Sequence, residues 1–220
     1  MVDFIFKRAT LDDVDFVADI IMEAEKSMTS RNGLANMFDL SESECKKYVI
    51  EILKEEMDGC ELSLSSFILA FHNDEPVAGM GGWLEGADDM PSSVIKSNLI
   101  GYYFPKSNLL KFKEKLAVVK DIQIPRESGT YQMEYAYIKS EYTGYFLFND
   151  LDEKHIEFAS SLTPKPTKIQ SHVFANNSIV LKLHEMMGFK KVATFHSDNP
   201  LTKQYFPDDT VVLIEKELYI

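Results

Sequence analysis

Cysteine is scarce: Cys45 and Cys60 are the only two in 220 residues. They lack a metal-ligand spacing and are too few for a disulfide framework, so both are expected to be free thiols of a reducing cytoplasm. Long apolar runs are missing as well. No window approaches the ~20 apolar residues that span a bilayer, and no basic stretch leads into an apolar run near the start, which argues against membrane insertion and secretion. Basic charge is also short. With 23 Lys plus Arg against 35 Asp plus Glu the net charge is −12, which repels nucleic acid and anionic lipid and weakly favours a cationic small substrate. The same excess of acid serves solubility. Aromatic residues are not interleaved with a basic cluster, a second point against nucleic acid. There is no Gly-x-Ser-x-Gly elbow, no Walker loop and no His-Glu-x-x-His pair, and the five histidines are dispersed. Hydrolase, P-loop and metal-site readings therefore have no motif to rest on. No charge run or proline-rich linker divides the chain, so residues 1–220 are expected to form one domain.

What is present is enough apolar residue for a sizeable core, 45% of the chain. The most informative stretch is 131–159. Residues 131–138 are dense in aromatic and β-branched types and predict a strand. Gly144 supplies a backbone that turns tightly, and Leu147, Leu151, Ile156 and Phe158 then fall near helical spacing. A helix starting just past the glycine would point its unpaired first N–H groups, at the positive end of its dipole, toward an anion such as a pyrophosphate.

Around this stretch, residues 4–8 predict a short strand, and Thr10 with Asp12 and Asp13 opens a helix whose Val14, Val17, Ile20, Ile21 and Ala24 form one buried face. Ser41 and Glu44 form a capping-box pattern ahead of a second helix reaching about Met57. Residues 66–71 and 77–84 predict a hairpin. Gly79, Gly81 and Gly82 in its second strand point either to tight packing under a helix or to close approach by a substrate. Glu85 at the strand's end is expected to be solvated. Residues 87–129 are too long for an ordinary hairpin connection and are expected to be an inserted, lid-like segment, with polar turns, the apolar run 99–104 and a Lys-rich helix over 109–120. Residues 168–174 alternate as a strand, Asn177 precedes a helix ending at Gly188, and two strands close the chain.

The order of these elements, the Lys7-Arg8-Ala9-Thr10 opening, and the segment Asn177, Val180, Leu183, His184, Glu185, Gly188, Phe189 resemble the GNAT superfamily of CoA-dependent N-acetyltransferases over nearly the whole chain. The resemblance implies an α/β (α+β type) fold: a mixed, largely antiparallel sheet, helices on both faces, and a helical insertion between the third and fourth strands. It implies N-acetylation by acetyl-CoA of a small-molecule amine or an exposed amino group, in a monomer or homodimer. The strand backbone near Tyr137 and Ile138 would hold the pantetheine arm, and Thr143, Gly144, Tyr145, Phe146, Leu147 and Phe148 would meet the pyrophosphate. Asn177 would reach the cofactor or cap its helix. His184 stands where the family has a tyrosine acid, and Glu134 is a candidate general base through a water. The family's loop carries Arg or Gln and small residues where this chain has Thr143, Phe146 and Phe148. A register using Glu141 and Gly144 instead spoils the helix match. The alternative function is a non-catalytic binding or regulatory module that kept the fold and lost the acyl-CoA site. Inward-pointing phenylalanines would leave the loop amides free; outward-pointing ones would block the cleft.

Overall fold

Strand β1 (Ile5–Arg8) runs into a turn where the Asp13 carboxylate accepts from both the N–H and the hydroxyl of Thr10, each at 2.9 Å. That acid anchors the entry to α1 (Val14–Ala24), whose Val17, Ala18, Ile20 and Ile21 are buried. Helix α2 (Gly33–Met37) is followed by α3 (Glu42–Leu53), where Ser41 and Glu44 make the expected reciprocal cap: Glu44 N–H donates to the serine oxygen at 3.3 Å and Ser41 N–H to the carboxylate at 3.0 Å. α3 ends at Leu53 rather than near Met57. In the computed structural model residues 2–218 are described; residues 1, 219 and 220, which the expected single domain includes, lie outside the described residues.

Strands β2 (Phe67–His72) and β3 (Glu75–Leu84) form the hairpin, turned by Asn73 and Asp74 at φ 51° and 64°, the left-handed pair that matches strand twist. The inserted segment folds as α4 (Ser92–Tyr103) and α5 (Lys106–Val119), and β4 (Tyr131–Ile138) and α6 (Leu147–Ser161) follow. The chain closes with β5 (Lys168–Phe174), α7 (Ser178–Met186), β6 (Lys190–His196), α8 (Thr202–Tyr205) and β7 (Thr210–Glu217). α4 replaces the polar turns expected there. Glu85 explains its start. Instead of being solvated it is 4% exposed, accepting from Trp83 Nε1 at 3.1 Å and from the N–H of Ser92 at 2.9 Å, so its charge sits at the positive end of α4.

The described residues form one seven-stranded sheet, order β1-β2-β3-β4-β5-β7-β6, antiparallel throughout except for β4 beside β5. Alternation sends Phe67 and Leu69 to a core with α1, α3 and the insertion, and Ile68 and Ala70 to a second core with α6. The insertion's Ile95, Leu99, Ile100, Phe104 and Val119 belong to the first core, where Phe104 stacks edge-on with Phe38. Tyr102 is 82% exposed. The glycines of β3 are there for packing on both faces: a Cβ at Gly79 would stand 2.5 Å from Ile20 of α1, and one at Gly82 would stand 2.6 Å from His155 of α6.

Candidate active site

β4 and β5 pair only at Tyr131 with Ile169 and Gln132 with Gln170. Beyond Gln132, β4 keeps β3 along one edge as far as Ile138, and among the described residues no strand covers its other edge. A bulge accompanies the opening. Glu134 opposes Gly81 and Ala136 opposes Met80, which leaves Tyr135 unopposed at φ 57°. Such a backbone costs of order 1–3 kcal/mol for a non-glycine residue. The bulge breaks the alternation, so that Glu134 and the next residue Tyr135 both turn toward the α1 side, with Tyr137, while Ala136 and Ile138 face the α6 core.

From β4 the chain passes Ser140–Tyr142, a single tight turn, to the start of α6. Thr143 N–H donates to Ser140 O at 3.2 Å and Tyr145 N–H to Tyr142 O at 3.4 Å. Among the described residues the N–H groups of Gly144, Phe146, Leu147 and Phe148 have no acceptor. Gly144 lies at φ 95° with open space around it, and Phe146 at φ 59°. The two phenylalanines divide. Phe148 is 7% exposed and packs edge-on against His184, whereas Phe146 is 76% exposed. Tyr145 rests against Phe4, and Leu147 is buried. Unpaired backbone donors thus gather at a helix start, and residues 140–150 add no cation to them.

On the α1 side of the opening lies an ionic network assembled from six separate segments. Arg126 Nη2 donates to both oxygens of Glu134 at 2.9 Å and reaches Glu61 Oε1 at 3.3 Å. Lys96 of α4 meets the same Glu61 oxygen at 2.8 Å, and His172 Nδ1 of β5 lies 3.1 Å from Glu134 Oε1. Tyr135 donates its hydroxyl to Glu25 at 2.8 Å. Burial alone would push Glu134 up; Arg126 and His172 outweigh it and hold the carboxyl down to about 2. Burial likewise opposes Glu61, and Lys96 and Arg126 overcome it and bring it below the usual range. Glu25 goes the other way, raised by burial against the pull of Lys96. Tyr135 is pushed well above the usual phenol range by burial and then by the surrounding carboxylates. Arg126 also lines a cavity of about 250 Å³ with Glu85, Pro91, Ser92 and Ile124.

Of the residues singled out from the sequence, Glu134 joins this network, and residues 143–148 with Tyr137 and Ile138 border the opening. His184 stands apart. It is 3% exposed, wedged between Phe148 and Phe189, and its Nδ1 donates to Val180 O at 3.0 Å. Burial pulls its pKa down to about 4, leaving a neutral ring at pH 7. Asn177 caps α7, its Oδ1 accepting from Val180 N–H at 3.3 Å. Glu25, Glu61, Lys96, Arg126 and His172 gave no local signal. The one available sign was parity: His172 shares a strand face with Gln170, as Glu134 does with Gln132.

No protein-family model matches the chain, and no curated protein matches its sequence. Solved structures do match its shape. An N-acetyltransferase from Staphylococcus aureus aligns with TM-score 0.67 at 12% identity, over 96% of this chain and 100% of that one. An acetyltransferase of the GNAT family from Streptococcus pneumoniae gives 0.53 at 14%, over 99% and 100%. A Drosophila melanogaster polyamine N-acetyltransferase, which forms N-acetylagmatine, gives 0.57 at 11%, over 98% and 100%. With the seven-stranded mixed sheet and its opening between β4 and β5, the chain has the fold of the GNAT superfamily of N-acetyltransferases.

Proposed function

We propose that the chain is an acetyl-CoA-dependent N-acetyltransferase acting on the amine of a small molecule or an exposed amino group. The observation that carries this reading is the set of four unpaired N–H groups at Gly144, Phe146, Leu147 and Phe148, set at the head of α6 beside the uncovered edge of β4. These amides would hold the pyrophosphate, and the β4 backbone near Tyr137 and Ile138 would hold the pantetheine arm. Bound acetyl-CoA supplies an activated thioester. Phe148 turns into the core, so its backbone is what faces outward. With no arginine in the loop, affinity rests on backbone donation and the helix dipole.

The chain's own residues supply charge and orientation for the acceptor. Glu134, ionised at neutral pH and engaged by Arg126 and His172, fixes its neighbours. His184, neutral and bonded through Nδ1, supports Phe148 at the head of α6. Calorimetric titration with acetyl-CoA and with CoA tests the proposal. Saturable binding of both is expected, followed by acetylation in a panel of amines. No binding at millimolar acetyl-CoA by a folded sample would sink it; binding without turnover would favour a non-catalytic acyl-CoA module.

A further inference from the structure

His172 stands on β5 two residues past the last β4–β5 pair and meets Glu134, which stands two residues past the same point on β4. The two side chains bridge the root of the opening, Nδ1 to Oε1 at 3.1 Å. Glu134 also accepts from Arg126 on both oxygens, so it is an ionised carboxylate that can only accept, and the proton of that contact belongs to His172 Nδ1. In the neutral ring Nε2 is then a bare lone pair. Among the described residues this Nε2 is buried and has no hydrogen-bond partner. Leaving a buried polar atom unpaired costs about 1–3 kcal/mol, which a donor from outside the chain would remove.

A second orphan lies on the same network. Glu61 is 1% exposed, and among the described residues its Oε2 has no partner, although its Oε1 takes both Lys96 and Arg126. Glu61 and Glu134, both held ionised, balance the two cations Lys96 and Arg126, while burial draws Glu25 beside them toward its neutral form. The unpaired Nε2 is an acceptor, and an ammonium is a donor of the kind it lacks.

Resting on the acetyl-transfer reading above, we propose that His172 is the general base for a cationic amine acceptor, that its Nε2 takes the ammonium proton, and that Glu134 is the residue positioning it. The proton moves from the ammonium nitrogen to Nε2, and the freed lone pair forms the C–N bond as the thioester's C–S bond breaks. A second proton leaves the nitrogen for the departing thiolate, and His172 gives its own to solvent. The charged groups facing His172 are Glu134 from β4 with Arg126, Glu61 and Lys96 behind it; its partner on β7 is the apolar Leu213.

Two measurements on the full chain decide the matter. Nitrogen-15 NMR at pH 8 is expected to show His172 protonated on Nδ1 and bare on Nε2; the opposite tautomer overturns the assignment whether or not acetyl-CoA binds. Kinetics with n-butylamine and 1,4-diaminobutane are expected to show His172→Gln lowering kcat by about 10²- to 10⁴-fold while acetyl-CoA binding is unchanged. Transfer to hydroxylamine, already neutral at pH 8, should be spared, which a merely structural role would not produce. Glu134→Gln should loosen the tautomer, adding an Nε2-protonated population to the nitrogen-15 spectrum. Wild-type turnover retained by His172→Gln, or equal loss with hydroxylamine, removes His172 as base and leaves acetyl transfer standing. Bound acetyl-CoA with none of these amines acetylated also overturns the assignment. Absence of acetyl-CoA binding removes both proposals.

Discussion

The two faces of the sheet bury histidine in opposite ways. On the α6 face, His155 and His184 are sealed among apolar side chains, each donating to a backbone carbonyl, Met80 O at 2.9 Å and Val180 O at 3.0 Å. On the α1 face, His172 donates from Nδ1 to a carboxylate, and among the described residues its other nitrogen has no partner. A carbonyl fixes a ring and leaves its charge unfavourable; a carboxylate fixes it and makes acceptance of a proton easier. The same side chain is thus structural on one face and fit for chemistry on the other, and what accepts the ring's proton, a carbonyl or a carboxylate, makes the difference.

The hardest blow to this contrast is Arg126→Ala. It leaves buried Glu134 with His172 alone and buried Glu61 with Lys96 alone, and is expected to lower the unfolding free energy by about 3–5 kcal/mol, read from the urea midpoint at pH 7. A loss below about 1 kcal/mol would show that the network is wetter than its geometry implies.

Next in size is the acid response of the α6 face. Burial lowers His155 and His184 from 6.5 to about 4. The unfolded chain therefore takes up their protons first. The stability of the neutral rings is full above pH 6.5 and drains as pH falls toward 4, about 3 kcal/mol for each ring. Urea midpoints between pH 7 and 4.5 should decline less in His184→Gln than in wild type; parallel curves would contradict the sealed environment.

A smaller effect sharpens the same face. Asp152 on α6 is 1% exposed, its Oδ1 has no partner, and burial, aided by Glu153 and opposed by Lys216, raises it to about 6. Here the folded state holds the proton longer, so stability falls as pH rises from about 4 to about 6 and stays lower beyond. Asp152→Asn is expected to add ~3 kcal/mol at pH 7 and little at pH 4. Equal effects at both pH values would mean packing, not charge, is responsible.

Strands and caps were legible in the sequence because their signals are local. Residues 131–138 and 168–174 alternate between clear turns, and Gly188, at φ 90°, stops α7 as a glycine in that place does. α4 was hidden by Pro91 and Gly101, since the carboxylate that steadies its start is seven residues back, at Glu85. The loop showed two phenylalanines without their directions; only the helix phase, with Phe148 one residue inside α6 and Phe146 just before it, separates them. His172 carried no motif. Its partner arrives from another strand, and that partner's arginine from the inserted segment, so the site became readable only when the sheet brought them together.

The bulge at Tyr135 has a further consequence, for kinship. Every side chain of β4 beyond it points to the face opposite the one simple alternation assigns. A residue-by-residue comparison with a strand lacking that extra residue would set core positions against cleft positions from 136 onward. Shape survives such a miscount and letters do not.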